Sequence, residues 1–141
     1  MSDQPAKKNL LAQADITAPS LNYAVELQQL AAKVGFDWPG VEGVVDKINE
    51  ELLEVLAEID TPDNEARLKD EMGDLLFACT NLARHLNIDP EQALQSGSQK
   101  FYRRFRQLEH MASSQDRGLE DYNLKQLEQL WHQVKQEASL K

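Results

Sequence analysis

Two long segments of this chain repeat apolar residues every three or four positions and carry paired acids beside them. An α-helix turns about 100° per residue, so this spacing places the apolar side chains on one stripe of an amphipathic helix. Over residues 41–59 the predicted stripe contains Val41, Val44, Val45, Ile48, Leu52, Val55, Leu56 and Ile59. Over residues 62–86 it contains Leu68, Met72, Leu75, Leu76, Cys79, Leu82, Ala83 and Leu86. The pattern therefore predicts two helices, each with one buried face.

The paired acids lie along one flank of each predicted stripe. These flanking acids are Glu51, Glu54, Glu71 and Asp74. Glu50 falls on the opposite side of its helix, so we expect it in solvent. The link around residues 60–62 is short, which favours antiparallel neighbouring helices. If the two flanks meet, four carboxylates converge.

Four converging carboxylates repel one another unless a cation lies between them. A ligand set made of oxygen atoms suits Mg²⁺ or Mn²⁺, and no Cys or His stands at the spacing of a soft-metal site. Either acid pair taken alone is better explained as a solvated helix face; the two pairs together favour a metal site. A di-iron bundle would need Glu-x-x-His pairs, and no histidine of this chain has an acid three positions before it.

The composition limits the classes of partner. The formal charge is −9 over 141 residues, which argues against a general nucleic-acid surface and against anionic membranes. The lone Cys79 falls on an apolar stripe, so we expect a small buried residue in a reducing compartment. No apolar run reaches transmembrane length, and residues 1–5 lack a signal-peptide pattern. The sequence therefore predicts a cytoplasmic protein.

The segments before the acid helices are a lead-in, a helix and an aromatic loop. Residues 1–19 are polar with weak periodicity, and we expect a flexible lead-in. Ser20 is the predicted N-cap of a first helix that ends near Gly35. The aromatic pair in the loop Phe36-Asp37-Trp38-Pro39-Gly40 either covers an edge of the core or walls a ligand pocket. For the second acid helix, Thr61 is the predicted N-cap, with Pro62 at the first helical position.

Two further helices complete the predicted fold. Asp89 is expected to cap a helix that runs to about Met111, and Asn123 to cap the last one. The helix that Asp89 caps concentrates the basic residues Lys100, Arg103, Arg104 and Arg106. These are either a solvated face or a phosphate-binding patch. Trp131 and Lys135 lie one turn apart, as a stacking surface and a cation that hold a nucleotide would; otherwise Trp131 is plain core or a dimer contact. No segment has a strand pattern. We predict an all-α bundle of about four to five helices, a single domain over residues 20–141.

Together these motifs resemble the MazG family of nucleoside triphosphate pyrophosphohydrolases, within the wider all-α group of such enzymes. The matching motifs are Val34-Gly35-Phe36-Asp37-Trp38-Pro39, Glu50-Glu51-x-x-Glu54, Glu71-x-x-Asp74-Leu75-Leu76-Phe77, Asn81-Leu82-Ala83-Arg84 and Lys100-Phe101-x-Arg103-Arg104-Phe105. Some members carry two tandem domains, and this chain is most similar to the C-terminal one.

The resemblance implies a homodimer or higher homo-oligomer that converts NTPs or dNTPs to monophosphate and pyrophosphate by attack of water at the α-phosphorus. It implies Mg²⁺ ligands and catalytic acids at Glu51, Glu54, Glu71 and Asp74. It implies substrate contacts at Lys47, Lys100, Arg103, Arg104, Trp131 and Lys135. Two alternatives stay open: an enzyme narrowly specific for one dNTP, and a non-catalytic helical dimer that binds nucleotides or a protein.

Overall fold

The computed structural model describes residues 9–139, and among them every regular element is a helix. The elements are α1 (Ser20–Ala32), α2 (Val41–Glu58), α3 (Glu65–His85), α4 (Pro90–Ser113) and α5 (Leu124–Ser139), with 3-10 turns at Leu10–Gln13 and Leu119–Asp121. The all-α prediction is confirmed. The chain forms two compact units that divide after Ala93. None of the helices described here is long and apolar enough to cross a membrane.

Two predicted helix caps are present. The Asp89 carboxylate accepts hydrogen bonds from the backbone N–H groups of Glu91 at 2.9 Å and Gln92 at 3.2 Å, which satisfies two donors at the start of α4. At the start of α5 the bonds are reciprocal. The Gln126 N–H donates to Asn123 Oδ1 at 2.8 Å, and the Asn123 N–H donates to Gln126 Oε1 at 3.0 Å. These side chains fix where α4 and α5 begin.

Two other predicted caps are wrong. Pro19, not Ser20, occupies the N-cap of α1, and Ser20 is its first helical residue. The second acid helix begins at Glu65 rather than near Thr61. The Thr61 hydroxyl instead donates to the Glu58 carbonyl at 2.9 Å and so closes the end of α2. Because Asp63 then adopts a positive φ of 48°, the chain turns before a new helix can start.

The first unit is built on contacts of α3 with α2 and α1. Arg67, near the start of α3, forms an ion pair of 2.8 Å with Glu58 at the end of α2. Glu51, half-way along α2, lies beside Glu71 and Asp74 in the middle of α3. Because these contacts follow opposite orders along the two helices, α2 and α3 run antiparallel, as the short link predicts.

The apolar stripe of α2 is wider than the chain's own core can cover. Val44 and Val55 are buried. Leu52 and Leu56, predicted on the same stripe, are 44% and 53% exposed, whereas Glu51 is buried. The predicted burial is therefore wrong for half of the stripe. The edge of α2 that carries Val44 faces the core, and Glu51 is buried because it lies on the same edge.

The matching correction on α3 concerns Cys79. The residue is exposed, not buried as predicted, and Met72 and Leu76 on the same side of the helix are exposed as well. The packing of α3 against α1 and α2 uses other positions, among them the buried Ala78 and Thr80. Position on an apolar stripe was thus not sufficient to place the thiol in the core of this chain.

Residues 9–19, the described part of the predicted lead-in, have local structure. A 3-10 turn contacts α1, and the Asp15 N–H donates to the Glu26 carboxylate on α1 at 3.1 Å. Residues 1–8 lie outside the described part of the chain. The flexibility of the lead-in, and a single domain that starts at residue 20, stay predictions.

The second unit has its own apolar core between α4 and α5. Leu108 and Ala112 of α4 pack with Leu130 and Val134 of α5. Replacing Leu108 by Ala is expected to lower the free energy of unfolding by about 3 kcal/mol, because the removed methyl groups leave a cavity. Urea denaturation followed by circular dichroism measures the change. Leu124→Ala is the matched control, since Leu124 is 71% exposed, and it should change stability by less than about 0.5 kcal/mol. Equal effects would contradict the assigned core.

Candidate metal centre

Three of the four predicted acids converge between α2 and α3. One carboxylate oxygen each from Glu51, Glu71 and Asp74 lies within 4.8 Å of the other two. Glu51 is buried, Glu71 half-buried and Asp74 exposed, so the cluster has a protected side and a side open to solvent. The i, i+3 spacing on α3 places its two acids on one side of that helix. An all-oxygen set of this size fits a hard divalent cation such as Mg²⁺ or Mn²⁺.

Electrostatic strain in the cluster is concentrated on Glu71. Desolvation raises the pKa of this carboxyl, and repulsion from Glu54, Asp74 and Glu51 raises it further. Each of these causes disfavours the charged form of an isolated cluster. A bound cation would reverse the balance, because it attracts the same charges that now repel one another. The cluster therefore has the electrostatics of a cation site.

Glu54, the fourth predicted ligand, is exposed and is not among the three convergent carboxylates. Its charge nevertheless reaches Glu71 and contributes to the raised pKa there. Glu50 is exposed, as its position opposite the stripe predicts. Gly73, between the two acids of α3, has open space where a Cβ would stand. Glu54 as a metal ligand stays a prediction.

Lys47 gives the buried Glu51 a partner of opposite charge. Its ammonium lies 3.0 Å from the Glu51 carboxylate and 3.6 Å from that of Glu50. The hydrogen bond to Glu51 raises the pKa of Lys47, so the residue is held in its charged form. Lys47 is thus the one predicted substrate-contacting residue that the structure places beside the convergent acids within the first unit.

A cleft of about 760 Å³ adjoins the acids. Its lining includes Leu11, Gln28, Phe36, Asp37, Trp38, Lys47, Glu51, Asp74, Asn81 and Arg84. Of the two interpretations of the aromatic loop, the pocket wall is the one observed, with Phe36 80% exposed. Trp38 packs on Gly43, where a Cβ would lie 2.8 Å from the indole ring. The small residue at this position lets the indole lie against the first turn of α2.

A charged network that sequence reasoning missed ties this loop to α3. Arg84 donates to both carboxylate oxygens of Asp37, with 3.1 Å to Oδ2. His85 Nε2 lies 2.9 Å from Oδ1, and the Trp38 N–H donates to the same oxygen at 2.8 Å. The Arg84 hydrogen bonds lower the pKa of Asp37 to about 2. The only signal in the sequence was an acid between two aromatics in a loop, far along the chain from its partners.

This network predicts a pH dependence of stability. A carboxyl whose pKa is lower in the folded state stabilises the protein above its unfolded pKa of about 4, and the gain is lost as the pH falls from about 4 to about 2. Replacing Asp37 by Asn should therefore reduce the free energy of unfolding at pH 7 but much less at pH 2.5. Urea titrations at the two pH values measure this difference. Arg84→Met should reproduce it, and a penalty that is equal at both pH values would contradict the assignment.

The remaining predicted substrate-contacting residues belong to the second unit. They are Lys100, Arg103, Arg104, Trp131 and Lys135. Trp131 is half-buried, packs against the core of that unit and stacks at a tilt on Phe101, with ring centroids 5.5 Å apart. Lys100, Arg103 and Lys135 are exposed. Their contacts with phosphate stay predictions.

Within the described residues, the fold is all-α and the convergent acids form a carboxylate centre suited to a divalent cation. Residues 40–108 match the family model of the MazG nucleotide pyrophosphohydrolase domain. This match spans α2, α3 and most of α4, so it contains all four predicted acids. The resemblance expected from the motifs is therefore confirmed.

Curated relatives agree with this assignment. The chain is 41% identical over 135 residues to the nucleoside triphosphate pyrophosphohydrolase of Escherichia coli K12. The aligned residues make up 95% of this chain and 51% of that protein. It is 39% identical over 129 residues to the nucleoside triphosphate pyrophosphohydrolase/pyrophosphatase MazG of Thermotoga maritima, 92% of this chain and 49% of that protein. The chain thus spans about half the length of these relatives.

Proposed function

We propose that this chain hydrolyses nucleoside triphosphates or deoxynucleoside triphosphates to the monophosphate and pyrophosphate. The observation that carries the proposal is the convergence of Glu51, Glu71 and Asp74 beside a cleft. Curated relatives of about 40% identity are named for this activity. Attack of water on a phosphate group is catalysed mainly by positioning the reactants and by neutralising the phosphate charge. A cation held by such acids can provide both.

We further propose that Mg²⁺, or Mn²⁺ in its place, is held by these three acids, with Glu54 completing the set. When bound, the cation would neutralise phosphate charge and lower the pKa of a coordinated water. Where the cation does not fully occupy Glu54, which is exposed and whose charge reaches Glu71, this carboxylate would accept the proton of the water that attacks the α-phosphorus. Pyrophosphate would then leave.

The cations of the chain would hold the phosphates. Lys47 is already beside Glu51 and lines the same cleft, so its ammonium would bind a phosphate oxygen that reaches the acids. From the second unit, Lys100, Arg103, Arg104 and Lys135 would contact phosphate and Trp131 the nucleoside. Arg is suited to such contacts because its planar guanidinium binds phosphate oxygens in pairs.

A homodimer is proposed because α2 exposes an apolar stripe. Val45, Leu52, Leu56 and Ile59 lie within about 60° of one another around the helix axis, and each is more than 40% exposed. A contiguous apolar surface of this kind is typical of a protein–protein interface.

A cytoplasmic location is proposed as well, since the exposed thiol of Cys79 suits a reducing compartment.

A product analysis tests the activity. The purified chain is incubated with Mg²⁺ and a panel of NTPs and dNTPs, and monophosphate, pyrophosphate and orthophosphate are quantified separately. We expect monophosphate and pyrophosphate in equal amounts, and neither after chelation of the metal. Orthophosphate with diphosphate would mean attack at the γ-phosphorus. No product from any nucleotide would favour a non-catalytic binding dimer.

A further inference from the structure

The loop over residues 36–40 has few attachments to the rest of the first unit. Its backbone is bonded to α1 through the Phe36 N–H, which donates to a carbonyl in the last turn of that helix at 3.1 Å. The Trp38 ring lies against the first turn of α2. Among residues 9–139, the hydrogen bonds that join this loop to α3 all end on the carboxylate of Asp37. The position of the loop relative to α3 therefore depends on one side chain.

Arg84 of α3 is held in the orientation that this carboxylate requires. Its guanidinium donates to both oxygens of Asp37, and also to Asn81 Oδ1 at 3.0 Å from Nε and 2.8 Å from Nη2. The Arg84 side chain is 14% exposed and that of Asp37 25%. Two parallel hydrogen bonds between charged groups, largely shielded from water, hold a fixed geometry that an exposed ion pair does not.

This ion pair lies in the lining of the cleft beside the acids. Asp37 and Trp38 of the loop line the cleft, and so do Asn81 and Arg84 of α3. Because the pair joins the two elements, it fixes this part of the lining before any ligand arrives. A ligand then meets a formed surface and does not have to order the loop, a cost that would otherwise be subtracted from its affinity.

We propose that Arg84 and Asp37 are positioning residues, which hold the loop over residues 36–40 in place so that the cleft is already formed for the triphosphate. They act on the loop and not on the reacting atoms. The proposal deepens the proposed function and rests on it for the identity of the ligand. The apparent affinity of a site falls with the fraction of molecules in which the site is formed. A loop that is in place about one tenth of the time would therefore raise KM about tenfold and leave kcat unchanged.

Steady-state kinetics in the product assay separates positioning from stability. Arg84→Met and Asp37→Asn should each raise KM about tenfold, with kcat within about twofold of the wild type. A general loss of stability would instead reduce the fraction of folded enzyme, which lowers the apparent kcat and leaves KM as it is. Arg84→Lys keeps the charge but not the paired hydrogen bonds, so its KM should lie between those of the wild type and Arg84→Met.

The matched control is Arg67→Met. Arg67 also pairs α3 with a carboxylate from another element, Glu58 at 2.8 Å, but neither residue of this pair lines the cleft. Its loss should leave KM unchanged. The double variant Asp37→Asn/Arg84→Met should have the KM of either single variant, because both changes remove the same contact.

Limited digestion with chymotrypsin reports the loop without turnover. Phe36 is 80% exposed, yet a protease also needs a mobile backbone. Arg84→Met leaves the sequence around Phe36 unchanged and should speed cleavage after this residue at least about fivefold, as mass spectrometry of the fragments would show. Arg67→Met should not.

An unchanged KM in Arg84→Met, whatever its cleavage rate, would overturn the proposal, as would a loss of kcat alone. If Arg84→Met does not fold, Asp37→Asn and Arg84→Lys decide the matter, and an unchanged KM in both would be equally contrary. The two proposals fail separately. Faster cleavage after Phe36 in Arg84→Met, with no hydrolysis of any triphosphate by the wild type, would remove the proposed function and keep the attachment of the loop. Hydrolysis by the wild type, with KM and cleavage unchanged in Arg84→Met, would do the reverse.

Discussion

Replacement of Asp74 by Asn is expected to lower kcat for triphosphate hydrolysis about a thousandfold or more, with the helices intact. The substitution removes one of three negative charges that would hold the cation, and loss of one preorganised electrostatic contact costs a factor of this order. Asp74 is exposed, so the amide has no burial cost. The product assay gives kcat, and circular dichroism reports the helix content.

The matched control is Asp70→Asn, one turn earlier on α3 and also exposed. The repulsion from Asp70 is the weakest of those that raise the pKa of Glu71, so the loss of this charge should change kcat less than about threefold. Direct titration with Mn²⁺ supplies a readout without turnover, and Asp74→Asn should abolish the binding. Full activity in both Asp74→Asn and Glu71→Gln would remove these acids from the mechanism.

The double variant Leu52→Lys/Leu56→Lys is expected to convert the proposed dimer into a monomer. Burying uncompensated ammonium groups in an interface costs several kcal/mol, so the dissociation constant should rise at least about a thousandfold. Light scattering should change from about twice 16.0 kDa to 16.0 kDa. Both side chains are exposed in the single chain, so the chain itself should remain folded.

Leu53→Lys is the control for this experiment. Leu53 is 65% exposed and is adjacent to Leu52 in sequence, but it points about 100° away around the helix axis. It should leave the dimer intact. A wild type that is monomeric at all concentrations, or a double variant that still dimerises, would rule out this stripe as the interface.

The sequence alone was sufficient for the helices and for the side of α3 on which its two acids lie. The recurrence of apolar residues about every 3.6 positions predicted α2 and α3, because the pattern runs along each helix with few breaks. The i, i+3 spacing then required Glu71 and Asp74 to share one side of α3, and the short link required the two helices to be antiparallel. Local hydrogen bonding determined the caps at Asp89 and Asn123, which need no distant partner.

Some caps and some buried positions were predicted wrongly, and in each case the outcome depends on distant contacts. Thr61 has the chemistry of an N-cap but bonds to the end of the preceding helix, a choice that the sequence leaves open. Cys79 lies on an apolar stripe yet is exposed. A stripe shows which residues prefer to leave water, whereas the neighbour that covers each of them is set by packing.

What the sequence determined by itself is the set of periodic and local features: five helices, their approximate ends, and acids at fixed angles on α2 and α3. The tertiary structure alone decided which edge of α2 turns inward, and hence that Glu51 is buried against Lys47. It alone joined Asp37 to Arg84 and placed Gln28 and Trp38 around one cleft. The physical reason is that helix geometry fixes angles within an element, while burial and pairing depend on which surfaces meet across long stretches of chain.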